Sequence, residues 1–360
     1  MQYSDDEKAI IWLSGCMRFD YRTSAMLLRA VHSPAGIFTA DQEFFTKLIK
    51  NRQNGLYKSV CSCSERKKAA ELFIAEEERK GRFFVTAVSA DYPKALLQIS
   101  DPPFVLYGEG NRELLSSRKF AIVGSRITPP WAEATAKRIA GELVQNFTIV
   151  TGLAEGGDAA AVAGAIDSGK LICVLPNGLN ECYPASHTGL KNAVRRKGLL
   201  LSECLPDEKV KKYSFYARNR LLAGLCEGVL VVSAGERSGA LITANRALEY
   251  GRDVFALPHN VGVRQGEGCN NLLKSGAYLV TDSADILFNY GIEPQTTVAQ
   301  ELSSDEERVL GVLHAGDDMH VTEIADGANM RIYEVSALLT ALEMKNLVVR
   351  AGANRYAAIK

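Results

Sequence analysis

The sequence predicts an α/β fold: a mostly parallel sheet, preceded by a small helical segment and followed by three helices and a hairpin. Three observations carry this. From about residue 82, short β-branched runs that end in glycine or serine alternate with amphipathic stretches at helical spacing. The short runs are almost wholly apolar, as strands are when helices cover both faces of a parallel sheet. After a polar stretch at 291–304, three helical patterns lead into two short β-rich runs separated by Ala351-Gly352-Ala353-Asn354.

In order along the chain, apolar stripes at 9–13, 25–31, 44–48 and 69–74 read as helices, with turn signals at Ser33-Pro34-Ala35-Gly36 and Asn54-Gly55. Residues 1–80 are therefore expected to form a small helical domain, SAM-like in kind. Its basic run Arg66-Lys67-Lys68 reads as a solvated helix face. Strands are expected at 84–88, 104–107, 120–123, 148–150, 171–175, 199–201, 228–232, 254–256 and 277–280. Helices are expected at 130–145, 158–168, 186–197, 217–226, 239–250 and 268–275. Together, 81–290 read as an extended Rossmann-like core and 291–304, with Pro294, as a linker. Helical patterns at 305–313, 321–328 and 333–345, with a hairpin over 347–350 and 355–359, read as a winged-helix domain at 305–360. Its third helix carries Lys345 against Glu334 and Glu343, which suits protein contact or regulation better than DNA reading.

Composition narrows the class. The 360 residues carry 42 Lys and Arg against 42 Asp and Glu, with 47% hydrophobic residues. That is ordinary globular composition, and the neutral balance leaves room only for a local basic groove. Cys16, Cys61, Cys63, Cys173, Cys182, Cys204, Cys226 and Cys269 are scattered with no CxxC pair, so no zinc site is expected and a reducing compartment is. The polar, acidic opening Met1 to Lys8 does not read as a signal peptide, and no apolar run approaches the ~18 residues of a membrane span. A cytoplasmic protein with no membrane partner is expected.

Ligands of open parallel sheets bind beyond the carboxyl ends of the strands. Here those ends carry Gly124-Ser125-Arg126, Thr151-Gly152, Asn177-Gly178, Ser202-Glu203 and Ser238-Gly239. Glycine admits close backbone approach, and helix N-termini offer N–H groups to an anion. Neither GxGxxG nor GxxxxGK[ST] occurs, which disfavours NAD and P-loop ATP chemistry; no cofactor is expected. Arg126 follows a buried strand and suits bidentate phosphate binding. Residues 187–220 hold nine cations (Lys191, Arg195, Arg196, Lys197, Lys209, Lys211, Lys212, Arg218, Arg220) against Glu203, Asp207 and Glu208, with Tyr213, Phe215 and Tyr216 interleaved. A basic track with aromatic side chains suits single-stranded nucleic acid, whose phosphates it neutralises and whose bases it stacks. No catalytic set and no metal-ligand spacing is discernible. Asp158 is expected to cap its helix and Glu203 to order the cleft.

The ordered series Val123-Gly124-Ser125-Arg126, Gly178-Leu179 with Tyr183-Pro184, Leu201-Ser202-Glu203, Phe215 with Ala217-Arg218-Asn219-Arg220, Ser238-Gly239-Ala240-Leu241-Ile242-Thr243-Ala244 and Gly251-Arg252 with Val254-Phe255-Ala256 resembles the DprA/Smf family of bacterial DNA-processing proteins, closely over about 85–285. The resemblance implies a binder of single-stranded DNA rather than an enzyme. It implies a protein that protects incoming DNA in natural transformation of competent cells, loads a RecA-type recombinase for recombination, and forms a homodimer. It implies DNA contacts at Arg126, Lys212 and Phe215. With the strand-end residues, the expected DNA site is Gly124, Ser125, Arg126, Gly152, Asn177, Gly178, Lys212, Phe215, Arg218, Asn219, Arg220, Ser238 and Gly239. The chain departs from the family pattern at Glu155, Val162, His187 and His259, and Glu155 would repel a phosphate path. One alternative is a nucleoside-monophosphate phosphoribohydrolase. Its Gly-Gly-x-Gly-Thr-x-x-Glu loop is only partly matched by Arg237 to Thr243 with Glu249 further on. A nucleotide-sensing protein is the other.

Overall fold

The computed structural model describes residues 2–17, 21–49, 65–293, 302–316, 318–345 and 347–359. The turn expected at Asn54-Gly55, Cys61 and Cys63, and most of the 291–304 linker lie outside them.

The N-terminal segment is helical: α1 (Asp5–Met17), α2 (Tyr21–Arg29), α3 (Gly36–Thr39), α4 (Gln42–Leu48) and α5 (Arg66–Arg79). The one-turn α3 follows directly on the Ser33-to-Gly36 turn. Trp12, Leu13, Leu27, Ile37, Phe45 and Ala70 form a small core of their own. The opposite faces of α1 and α5 join the main core, where Tyr3, Ile10, Ile11 and Ile74 pack with Phe84 and Tyr107. The Phe84 N–H donates to the Tyr3 hydroxyl at 2.9 Å, which ties the first residues to the edge of the sheet.

The sheet has nine strands: β1 (Arg82–Thr86), β2 (Val105–Gly110), β3 (Lys119–Val123), β4 (Thr148–Thr151), β5 (Leu171–Leu175), β6 (Leu199–Ser202), β7 (Gly228–Val231), β8 (Asp253–Ala256) and β9 (Tyr278–Leu279). Their order is β1-β2-β6-β5-β4-β3-β7-β8-β9. Strands β3 to β9 are parallel, and β2 joins β6 antiparallel, with β1 antiparallel outside it. All nine expected strand segments are present. Alternation along β3 shows why its residues are all apolar. Phe120 and Ile122 face α6 (Pro130–Leu143), α7 (Gly157–Ala165) and α8 (Thr188–Lys197). Ala121 and Val123 face α9 (Lys212–Leu225), α10 (Gly239–Glu249) and α11 (Glu267–Lys274).

Two helices of the core differ most from expectation. α9 starts at Lys212, not 217, because the Lys211 N–H donates to Ser214 Oγ (3.2 Å) and closes an extra first turn. That puts Lys212, Tyr213 and Phe215 on a helix. α12 (Ser283–Asn289) was not anticipated; Asp282 caps it by accepting from the Ala284 N–H at 2.8 Å. The C-terminal segment is a winged helix: α13 (Ser304–His314), β10 (Met319–His320), α14 (Val321–Ala328), α15 (Ile332–Met344), β11 (Val348–Gly352) and β12 (Arg355–Ala358). The short β10 pairs with β12, a third strand that two residues of sequence do not announce. Ser303 caps α13, so the polar stretch read as linker ends inside a helix start.

One expected ligand contact belongs to the frame instead. The Arg220 guanidinium, 2% exposed, lies between Glu203, at 2.5–2.7 Å, and Asp101, at 3.3 Å. It clamps α9 to the end of β6 and to the segment before β2. Removing one member of such a pair strands the other charge at a cost of about 3–5 kcal/mol. Arg220→Ala is therefore expected to lower the urea-unfolding free energy by about that much. Unchanged stability with lost ligand binding would return Arg220 to the ligand site.

Candidate functional site

The chain runs from β3 outward through β4, β5 and β6, then crosses back to the other side of β3 for β7, β8 and β9. A crevice opens where the order reverses, beyond the carboxyl ends of β3 and β7. Its cavity of about 280 Å³ is lined by the β3 turn, by Asp158 on α7, by Phe215, Arg218 and Asn219 on α9, and by Ser238 to Thr243 at the start of α10.

The β3 turn is held from two sides. The Ser125 N–H donates to the Ser233 carbonyl at 2.8 Å, and the two serine hydroxyls lie 3.1 Å apart. The Gly157 N–H donates to the Ser125 carbonyl at 3.2 Å. Gly124 and Gly157 press together so closely that a Cβ on Gly124 would stand 2.9 Å from the Gly157 Cα. Gly156 has φ +72°, and a side chain there would meet the Arg126 carbonyl at 2.8 Å. These glycines are needed to bring α7 onto the turn.

Held this way, Arg126 emerges exposed at the mouth. Its guanidinium sits 5.4 Å from the Tyr183 ring centre and 5.3 Å from that of Phe215, and donates to the Tyr183 hydroxyl at 3.2 Å. The two rings meet edge-on at 5.6 Å. Among the described residues no carboxylate forms a salt bridge with Arg126. Its charge is oriented by cation–π contact and remains available to an anion.

The floor carries a buried pair. Asp158 Oδ2 and Arg218 Nη1 are 3.8 Å apart, and Arg218 also donates to the Val174 carbonyl at 3.1 Å. Burial pushes the Asp158 carboxyl above its ordinary range, against the pull of Arg218, and pushes Arg218 below its own. Asp158 does not cap its helix as expected. Gly156 stands at the N-cap, and Asp158 accepts instead from the Ala154 N–H at 3.4 Å. Asn219 donates to the Gly239 carbonyl at 3.2 Å, fixing the start of α10 beneath the crevice. Ser238 caps α10 through the Ala240 N–H, and Gly239 is exposed with open space where a Cβ would go.

Of the thirteen expected residues, Gly124, Ser125, Arg126, Phe215, Arg218, Asn219, Ser238 and Gly239 line the crevice. Lys212 is exposed on the first turn of α9, and among the described residues it forms no salt bridge. Gly152 lies beneath the floor, where a Cβ would collide with Arg218 and Asp158. Asn177 is buried and donates to the Gly178 and Glu181 carbonyls. Gly178 packs against the backbone of Leu205 and Pro206. The expected basic track is divided by the fold. Arg195 and Lys197 end α8 at the amino side of β6, bound to Glu109 and Asp167. Lys191 is buried on the Leu179 and Glu181 carbonyls. What remains near the crevice is the start of α9. Tyr183 was missed as a site residue, because only tertiary contact brings it to Arg126.

The departures from the family pattern are accommodated locally. Val162 is fully buried, and His187 Nδ1 meets the Leu153 carbonyl at 2.9 Å. His259 bonds the Val232 carbonyl and packs on Trp131, with burial holding its imidazole below the ordinary range. Glu155 is exposed, 3.5 Å from Ser186 Oγ, and does not line the crevice. Glu249, needed by the phosphoribohydrolase alternative, lies at the far end of α10, paired with Arg246. Among the described residues no helix is long and apolar enough to cross a membrane, and no group of three or more His, Cys, Asp or Glu is placed to hold a metal.

Comparison with known proteins identifies relatives of the whole fold. The family model for DNA recombination-mediator protein A matches residues 83–291, and that for the DprA winged-helix domain matches 293–354. DNA processing protein DprA of Streptococcus pneumoniae is 42% identical over 200 residues, covering 55% of this chain and 71% of that protein. The X-ray structure of the S. pneumoniae protein superposes with TM-score 0.63 at 31% identity, covering 80% of this chain and 98% of the other. The structure of Helicobacter pylori DNA processing protein A, described for its single-stranded DNA binding mode, superposes with TM-score 0.53 at 32% identity, over 57% and 95%. On the breadth of these matches, this chain belongs to the DNA recombination-mediator protein A (DprA/Smf) family.

Proposed function

We propose that this protein binds single-stranded DNA across the crevice at the ends of β3 and β7, with Arg126, Lys212 and Phe215 as its principal contacts. The observation that carries the reading is the placement of Arg126 between Tyr183 and Phe215: a cation with no carboxylate partner among the described residues, beside two aromatic rings. A phosphate needs the first and an unpaired base uses the second. The single-stranded DNA binding described for the H. pylori relative supports the choice. Gly239 leaves open space beside the start of α10, where an anion can approach the helix N-terminus. In the same proposal the protein works in the cytoplasm as a homodimer, shields incoming strands and passes them to a RecA-type recombinase. Its work is binding, not turnover.

Fluorescence anisotropy with labelled oligothymidylate tests this. Wild-type protein should prefer single strands to duplex and bind more weakly as salt rises. Arg126→Ala should weaken binding about tenfold or more, since a hydrogen bond to a charged group is worth about 1.5–3 kcal/mol. Phe215→Ala should lose the ~1–3 kcal/mol of one stacked base. Lys212→Ala should flatten the salt dependence by about 0.7 in log–log slope. Equal binding by all four proteins, or release of free base from a nucleoside monophosphate, would overturn the assignment.

Two glycines separate fold from function. Gly124→Ala should destabilise the protein by about 1–3 kcal/mol through overpacking against Val232 and Gly157. Gly239→Ala should leave thermal stability near wild type and still weaken DNA binding, because its Cβ meets only the space the strand would occupy.

A further inference from the structure

The crevice does not end at Arg126. A second groove, of about 380 Å³, shares Ser125, Arg126 and Ser238 with it and continues to Ile127, Arg237, Arg264 and Gln265. Its three arginines come from the ends of three neighbouring strands. Arg126 follows β3, Arg237 follows β7 and Arg264 follows β8. All three are exposed, and among the described residues none forms a salt bridge. Glu236, the nearest acidic side chain in sequence, is outside the lining.

The loops that carry the two outer arginines are tied together. Ser233 Oγ donates to the Gln265 carbonyl at 3.0 Å, and the Gly268 N–H donates to the Ala234 carbonyl at 2.8 Å. Gly235 lies so close that a Cβ on it would stand 3.1 Å from the Arg264 carbonyl. Ser233 is in turn bound to Ser125. The arginine stems thus start from one hydrogen-bonded rim. Neighbouring strands are about 4.8 Å apart, so three strand ends span about 10 Å, more than one phosphate group fills. Ile127, 77% exposed at the start of this groove, offers an apolar surface to a sugar or base.

We infer that Arg237 and Arg264 form a second phosphate-binding stretch, which carries a polynucleotide strand out of the crevice along the ends of β7 and β8. This rests on the single-stranded DNA reading of the crevice and extends it: the ligand class becomes a strand long enough to pass both grooves, not a mononucleotide or a very short oligomer. The crevice grips a short segment; the arginine rim adds charge along the backbone that leaves it.

Oligothymidylates of about four and about sixteen nucleotides, the range of site sizes used by single-strand binders, separate the two. Affinity is measured over a salt series for wild type, Arg126→Ala and the double variant Arg237→Ala/Arg264→Ala. Both outer arginines are exposed, so the double variant should keep the wild-type melting temperature. It should bind the short oligomer as wild type does. It should bind the long one at least about tenfold more weakly, with a log–log salt slope shallower by about 1.4, or about 0.7 for each phosphate that is no longer neutralised. Arg126→Ala should weaken both lengths. Wild-type binding of the long oligomer by the double variant would overturn the exit path while leaving the crevice reading intact. Loss of the short oligomer in the double variant would also overturn it, by placing these arginines in the crevice itself. If Arg126→Ala has no effect on either length, the crevice reading fails.

Discussion

The contact between Gly124 and Gly157 decides what the rest of this site can be. A Cβ built on Gly157 would lie 2.6 Å from the Gly124 Cα, and Val232 closes the same space from β7. Only with two bare Cα atoms can α7 start directly against the β3 turn. That approach allows the hydrogen bond from Gly157 to Ser125, and Ser125 ties the turn to Ser233 on the far side of the crevice. A turn held from both sides has little freedom, and Arg126 follows it immediately. Close packing beneath the turn thus fixes where Arg126 leaves the backbone, and the Tyr183 and Phe215 rings orient its guanidinium.

The buried pair under the crevice sets the electrostatics. Asp158 and Arg218 are both removed from water, and burial opposes the charge on each. Their charges offset one another, so the floor offers shape and hydrogen bonds more than net charge. Gly152 leaves the room in which they meet. In the proposed reading the attraction for an anion then comes from the rim: Arg126, Lys212 at the start of α9, and Arg237 and Arg264 in the loops after the adjoining strands. Among the described residues, other cations of the basic segment are already bound: Arg195, Lys197 and Arg220 to carboxylates and Lys191 to carbonyls.

Much of this architecture was legible in the sequence. A buried parallel strand must be apolar on both faces and must end where the chain turns, so the inner strands β3 to β8 announced themselves as short apolar runs. The β3 turn and the start of α10 were legible for the same reason. What failed was anything that depends on which end of the sheet a residue reaches. Arg195 and Arg218 are close in sequence and share a basic composition, yet α8 and α9 lie on opposite faces, and α8 ends at the strands' amino side. A charge count along the chain sums over both ends. Arg220 read as a ligand contact because its carboxylate partners, Glu203 and Asp101, come from two separate segments. Tyr183 went unassigned because its contact with Arg126 spans 57 positions. The short β10 carries too few residues to show a period.

The aromatic arrangement limits how a strand can sit. Phe215 cannot hold the Arg126 guanidinium and a base on the same face. Its ring meets that of Tyr183 edge to face, at an interplanar angle of 69°. In the proposed complex a base stacks on Phe215 while the N–H groups of the Arg126 guanidinium meet the adjoining phosphate. Base and phosphate are then read together, by a ring and a cation already in contact. A free phosphate engages only the cation, and a nucleobase alone engages only the ring. A nucleotide within a strand would engage both, and its neighbours would extend toward Arg237 and Arg264 in the loops after β7 and β8. Under the single-stranded DNA proposal the geometry would reward a linked backbone, and selectivity for single strands over duplex would arise from the need for an unpaired base at Phe215.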